Sequence, residues 1–291
     1  MSIQSAESES IPPQSLPPVQ HGAADVIGKV DIPPRPALLM ALQREIRHDE
    51  PQLKRIAQLI GRDVAMAGKL LQAANSAFFS LPRKIATVDD ALAMIGMQQC
   101  GAMMTSLITR NLMAQGRTMM ARFWDVSEKR AKGMAFVATE CRAARPEIAH
   151  SFGLFCDIGI PLMKAHFPSY LETLALANRL AGNGFTDIEH SRHGVNHAVV
   201  GALLAEQWGM DDDIVSAIRL HHDYDALYQE SVPATVRALL AMNLVVERAI
   251  QEFRGDTVSL EWAAGGNAAT EALDLDAERV DRMCQELKRR F

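Results

Sequence analysis

Five of the nine histidines in this 291-residue chain fall between positions 190 and 222. His190, His193 and His197 form one group, and the adjacent pair His221 and His222 the other. Imidazole ligates transition metals and exchanges protons near neutral pH, so the clustering raises metal-assisted attack by water and acid–base transfer. Each residue also has a plainer role. His190 and His193 sit with Glu189, Ser191 and Arg192 in a polar stretch that reads as exposed surface. His197 opens the apolar segment Ala198 to Leu204, where a cap or a core histidine would serve as well. His221 and His222 close the run Ile214 to Leu220, and the helix dipole alone favours imidazole at a C-terminus. Cys100, Cys141, Cys156 and Cys284 include no CxxC pair, so reduced thiols are expected rather than a disulfide framework or a zinc ribbon. The chain has no GxGxxG, GxxxxGK[ST], GxSxG or HExxH motif.

The elements that must position these histidines read as helices. Hydrophobic residues make up 48%, charged residues 22% and aromatics 5%, the mix of a soluble helical protein rich in Ala, Leu and Met. With 30 Lys+Arg against 35 Asp+Glu, the net charge of -5 gives no general pull toward nucleic acid or anionic lipid. No apolar run approaches the ~20 residues of a membrane span. The N-terminus lacks the basic and apolar regions of a signal peptide, so a cytoplasmic location is expected. Residues 1–30, with Pro12, Pro13, Pro17 and Pro18 among Ser, Gln and Glu, read as a flexible tail. Folding is expected to begin near Ile32-Pro33-Pro34 and to enter a helix at Ala37.

Helix starts are expected at Asp49-Glu50-Pro51-Gln52, at Asp63, and at the capping box Thr87-Val88-Asp89-Asp90, with stops at Gly61 and Gly96. Further helices are expected to about Met113, over Met119 to Ala143, and over 168–181, 196–208, 211–222, 233–253 and 277–290, with Asn196 and Asp211 as N-caps. Gly255 reads as a stop and Ala263-Ala264-Gly265-Gly266-Asn267 as a loop. With no period-2 alternation and no repeat of 20 to 50 residues, the fold class is all-α.

The segment Gly153-Leu154-Phe155-Cys156-Asp157-Ile158-Gly159 resembles the GLLHDIG motif of HD-superfamily phosphohydrolases. Val195 to Ala202, Trp208-Gly209-Met210 and Ala217 to His222 follow in matching order. Leu70 to Phe79 is similar to an LLRLANSA-type motif, and Thr87 to Gly96 to the helix and turn after it. Together these resemble the HDOD family, the HD-related output domains of bacterial signalling proteins, over about residues 31–250. The resemblance implies a multi-helix fold: an N-terminal helical part over 31–117 packed on an HD-like part over 118–255, followed by a helical extension over 256–291. It also implies that Asn75-Ser76 joins the two parts without chemistry of its own. Taken alone, Asn and Ser after a helix are ordinary turn residues, and Phe78, Phe79 and Leu81 read as core.

An intact HD site would hold one or two divalent metals through histidines and carboxylates and leave a position open for an activated water. The resemblance places Val126 where the family often has a histidine, in Phe123-Trp124-Asp125-Val126-Ser127, and places Cys156 at the histidine of the His-Asp pair. It places Asn243 at the late aspartate. Valine has no lone pair, an amide is a weak ligand, and a thiolate suits zinc but not Mg²⁺ or Mn²⁺. Asp157, His197, His221 and His222 survive as a vestigial set, and the space at Val126 is expected to be filled by core packing. The expectation is therefore no catalytic residue, no cofactor and no metal, with a divalent ion at a partial site as the alternative.

The function expected is a non-catalytic signalling or regulatory module that binds a partner protein, with neither membrane nor nucleic acid as a partner. No receiver, GGDEF or EAL segment is recognisable, so a standalone domain is expected. The alternatives are residual phosphodiesterase or phosphohydrolase activity on Cys156, Asp157, His197, His221 and His222, or a nucleotide sensor. The second is weakened because no Arg/Lys cluster is evident beside the histidines. Lys288-Arg289-Arg290 reads as complementing a helix dipole.

Overall fold

The computed structural model describes residues 37–62, 64–75, 85–114, 121–256 and 259–291. The expected tail, the chain entry at Ile32, the cap at Asp63 and the residues Ser76, Phe78, Phe79 and Leu81 lie outside them. Among the described residues every regular element is a helix. The N-terminal helices are α1 (Ala37–Ile46), α2 (Leu53–Gly61), α3 (Val64–Ala74), α4 (Val88–Ile95) and α5 (Met97–Ala114). Helices α6 (Ala121–Cys141), α7 (Pro146–Phe155), α8 (Gly159–His166), α9 (Tyr170–Ala177), α10 (Asn183–His193), α11 (His197–Gln207) and α12 (Asp212–Leu220) follow. After a 3₁₀ turn at Tyr224–Tyr228 come α13 (Ala234–Phe253), α14 (Leu260–Ala272) and α15 (Ala277–Arg290).

Several of these boundaries follow from capping chemistry. Thr87 accepts from the backbone N–H of Asp90, Asn196 from that of Val199 at 2.9 Å, and Asp211 from that of Asp213 at 3.1 Å. Each side chain supplies an acceptor to an N–H that the first helical turn leaves open. Gly96 ends α4 at φ 94°, in the left-handed region that only glycine enters freely. Asn75 holds the chain at both ends of 76–84: its Nδ2 donates to the carbonyls of Leu71 and Ile85, and its Oδ1 accepts from the N–H of Ile85 at 2.7 Å.

Helices α1 to α5 pack on one another, and α5 rests on α7. The long helix α13 is the axis of the C-terminal half, with α6, α12, α14 and α15 against it. Its buried residues, Val236 through Ile250, join one core that runs from Leu39 to Leu287. No described helix is long and apolar enough to cross a membrane.

Three expectations are corrected. The segment 263–267 is not a loop but the middle of α14. Gly265 lets that helix lie close to its neighbours, since a Cβ there would come within 2.8 Å of Leu244 and 3.0 Å of Tyr224, while one on Gly266 would meet Trp262 of the same helix at 2.7 Å. The polar stretch around Glu189 is helix α10, and Glu189 on it is fully buried. Helix α2 starts at Leu53, one turn after Asp49, and its cap residue Gln52 makes no side-chain cap.

Two glycines set the distances in the HD-like half. A Cβ on Gly153 would meet the Cα of Ala131 and the carbonyl of Arg130 at 2.9 Å, so α7 lies directly on α6. A Cβ on Gly159 would meet the carbonyl oxygen of His197 at 2.0 Å, so α8 starts against the backbone of α11. Neither obstruction is a flexible side chain that could swing aside. Gly159→Ala is therefore expected to cost about 3 kcal/mol or more in a chemical-denaturant melt, at the upper end of overpacking, while Gly61→Ala, with open space around it, should be near neutral.

Candidate functional site

The junctions at Gly153 and Gly159 bring Asp157, which lies between α7 and α8, against α6 on one side and α11 on the other. Helix α11 presents His197 from its first position, and the C-terminus of α12 presents His221 and His222. One donor atom from each of Asp157, His197, His221 and His222 lies within 4.8 Å of the others. Asp157 Oδ1 is 3.3 Å from His221 Nε2 and 3.6 Å from His197 Nε2. All four surviving residues thus meet, as the resemblance implied. Cys156, Val126 and Asn243 line the same cavity, so the three substituted positions belong to this site as well.

Two residues that the sequence reading passed over occupy its centre. Arg130, 5% exposed, reaches Asp157 Oδ2 at 2.8 Å through Nη1 and Glu247 Oε1 at 2.9 Å through Nη2. Each lies one helical turn beyond a substituted ligand position: Arg130 follows Val126 by four residues on α6, and Glu247 follows Asn243 by four on α13. That i, i+4 spacing puts each on the face of its helix that carries the lost ligand. A charged residue at this spacing was the signal available in the sequence.

Glu189 is the third. Its Oε2 accepts from His197 Nδ1 at 2.6 Å and from the His197 backbone N–H at 3.1 Å, and its Oε1 accepts from the Tyr170 hydroxyl. His190 is exposed, as expected, and His193 packs at 2.8 Å from Thr173 Oγ1, away from the cluster.

These partners define the protons. His221 Nδ1 donates to the carbonyl of Ile218 at 2.7 Å, and its Nε2 faces both Asp157 Oδ1 and His197 Nε2. His197 Nδ1 donates to Glu189, yet its Nε2 lies 3.1 Å from His221 Nε2. Two lone pairs cannot face each other at that distance, so one nitrogen carries a proton. Burial alone would lower the His197 pKa, but Glu189 and Asp157 pull it up to about 10. His197 is therefore the imidazolium, donating from both nitrogens. Burial likewise opposes ionisation of Asp157, and Arg130, His197 and His221 reverse this, holding its carboxyl well below the ordinary range. Glu189 is lowered for the same kind of reason, by His197 and Tyr170 against its burial.

Cys156 and His222 are held in their neutral forms. Burial, followed by the charge of Asp157, pushes the Cys156 thiol well above its usual range. Burial, followed by His221 and His197, holds His222 well below its own. The His222 ring stacks on Phe185 with centroids 4.7 Å apart and planes 13° apart. Burial raises Glu261 to about 7, although it accepts from the N–H of Gly182.

Val126 packs against the core on one side, as expected, but the space on its other side is open. A cavity of about 800 Å³ opens there, with Val126, Asn243 and Arg130 in its wall. Arg122, Lys164 and Arg254 also line it, so basic side chains do stand beside the histidines, contrary to the sequence reading. They come from three distant stretches of chain, which hid them as a cluster.

The donor atoms of Asp157, His197, His221 and His222 lie close enough to hold one ion, while Arg130 already pairs with the second oxygen of Asp157 at 2.8 Å and Val126 offers no lone pair.

A chain of helices that brings Asp157, His197, His221 and His222 together defines the class, and comparison with known proteins defines the family. The HDOD domain model matches residues 32–224, and the chain belongs to the HDOD family. An HDOD domain protein from Geobacter sulfurreducens shares the fold with a TM-score of 0.72 at 19% identity, covering 93% of both chains. A candidate signal-transduction protein from Marinobacter aquaeolei VT8 aligns at 0.71 and 18% identity, over 94% of this chain and 63% of the other. A candidate phosphohydrolase from Shewanella amazonensis SB2B aligns at 0.68 and 21%, over 91% and 94%. The chain spans less than half the length of the curated relatives that it matches, at 25% and 24% identity.

Two outcomes test the charge pattern. Arg130→Met should destabilise the fold by about 3–5 kcal/mol in urea, because Asp157 and Glu247 lose their counter-charge, and adding Glu247→Gln should recover part of it. His197 keeps its proton to about pH 10 in the fold but only to about 6.5 in an unfolded chain. The stability this contributes is complete below pH ~6.5 and lost as pH rises through ~10. Glu189→Gln should flatten that alkaline decline in melting temperature.

Proposed function

We propose that this protein is a non-catalytic signal-transduction module that acts by binding a partner protein. The observation that carries this reading is the guanidinium of Arg130 bridging Asp157 and Glu247. In an HD-type hydrolase the surviving carboxylate would hold an ion that activates water. Here an amino-acid cation and the proton on His197 supply the positive charge instead, and neither lowers the pKa of a bound water. With no reacting centre, an effect on other molecules must come through association. The signal-transduction name of the Marinobacter neighbour is in keeping with this.

The test combines metal analysis and turnover on untagged protein purified without chelator. The expected result is less than about a tenth of an ion per chain and no hydrolysis of bis(p-nitrophenyl) phosphate with Mg²⁺, Mn²⁺ or Zn²⁺. Near-stoichiometric metal together with turnover that Asp157→Ala abolishes would replace this reading with a phosphohydrolase. Affinity capture from the native host that returns no specific partner across growth conditions would remove the protein-interaction half of it.

A further inference from the structure

We propose that the cavity beside Arg130 binds a small amphipathic anion, an oxyanion head group carried on an apolar body. The inference rests on reading the site as non-catalytic, since a phosphate ester that was cleaved there would be a substrate rather than a signal.

Three features converge on this ligand class. The first is an excess of unused polar groups in the wall. Arg130 is 95% buried, yet its Nε has no hydrogen-bond acceptor; His222 Nδ1 makes no hydrogen bond either, its nearest charged neighbour being Glu261 Oε1 at 3.7 Å. Buried polar atoms seldom go unpaired, because each costs the full penalty of its lost hydration. Arg130 Nε can only donate, and an oxyanion supplies acceptors.

The second feature is charge. The acidic groups of the wall are largely answered within the protein: Asp157 and Glu247 by Arg130, and Asp256 by Arg254 at 3.9 Å. Glu261 takes the N–H of Gly182. Arg122 and Lys164 line the same cavity and have no ion-pair partner among the described residues. Arg130 is a single cation against two carboxylates, so Arg122 and Lys164 leave the wall with one positive charge in excess when Glu261, whose pKa is about 7, is protonated.

The third feature is the apolar part of the lining, supplied by Leu171, Leu174, Leu180 and Leu260. Leu171, Leu180 and Leu260 remain 42%, 39% and 47% exposed. Large side chains left open at the mouth of a cavity of about 800 Å³ offer an apolar body a place to bury, and the volume is that of a small-molecule site. An inorganic anion would leave this wall unused, and a purely apolar ligand would leave Arg122, Lys164 and Arg130 Nε unanswered.

The test is isothermal titration of the full chain with four probes: inorganic phosphate, 5′-GMP, dodecanoate and dodecyl phosphate, each followed by ³¹P or chromatographic analysis for turnover. The expected result is saturable one-to-one binding of at least one organic probe, with no cleavage. Its Kd should rise at least about tenfold, a loss of ~1.4 kcal/mol, in Arg122→Ala/Lys164→Ala, while the ligand-free melting temperature stays unchanged. 5′-GMP binding identifies a ring as the apolar body, and the dodecyl probes identify a chain. Inorganic phosphate binding as tightly as the best organic probe would overturn the amphipathic assignment. So would no organic probe binding up to about 1 mM, or binding indifferent to the double substitution. Cleavage of a bound phosphate ester would support the site but overturn the non-catalytic reading.

Discussion

Three carboxylates, Asp157, Glu189 and Glu247, stand close together at the junction of α6, α8, α10, α11 and α13, and their negative charge must be answered inside the protein. Buried charge is tolerated only when it is paired and hydrogen-bonded. The chain meets this requirement with Arg130 on one side and protonated His197 on the other, 2.8 Å from Asp157 and 2.6 Å from Glu189 respectively. Much of the local architecture follows from that need. Tyr170 on α9 is fixed by Glu189, the entry to α11 is fixed by the two bonds from His197 to the same carboxylate, and α6 is tied to α13 through Arg130 and Glu247.

Arg130 stands at the centre of the site, one helical turn from Val126, where the resemblance implied a ligand. A divalent ion would have balanced two of these carboxylates, and histidine at position 126 or aspartate at position 243 would have helped to hold it. With valine and asparagine there, a guanidinium one helical turn away takes the balancing role. An arginine is suited to this because its charge persists in burial and its planar fork addresses two carboxylates at once. The Cys156 thiol and the His222 ring take neutral forms, so the site holds few formal charges beyond those it can pair.

The helical class was legible because it rests on local chemistry. Thr87, Asn196 and Asp211 cap the helices that they were expected to cap, and Gly96 stops α4. The vestigial residues Asp157, His197, His221 and His222 were also legible, through motif order. What stayed hidden depended on three-dimensional packing. Glu189 lies among polar neighbours and looks like surface, because nothing in its own segment reports that Tyr170 and His197 close over it. The glycines at 265 and 266 look like a loop, because local propensity disfavours glycine in a helix. The close approach to Leu244 and Tyr224 that calls for glycine at 265 comes from tertiary structure. The cavity was missed for a related reason: its basic side chains come from positions 122, 130, 164 and 254, which no window of sequence joins.

The contact at Gly159 carries a mechanical implication. A backbone atom of α8 meets the backbone of α11 at His197 with no side chain between them, so this joint contains no compressible layer. Shear at the joint would force atoms into one another, and small displacements of Asp157 must be carried by α11 as a lever is carried by its fulcrum. Helix α11 packs in turn on α12, which ends in His221 and His222. The fold thus joins the wall of the cavity to α11 by a backbone-to-backbone approach at Gly159, and through α11 to α12 by packing.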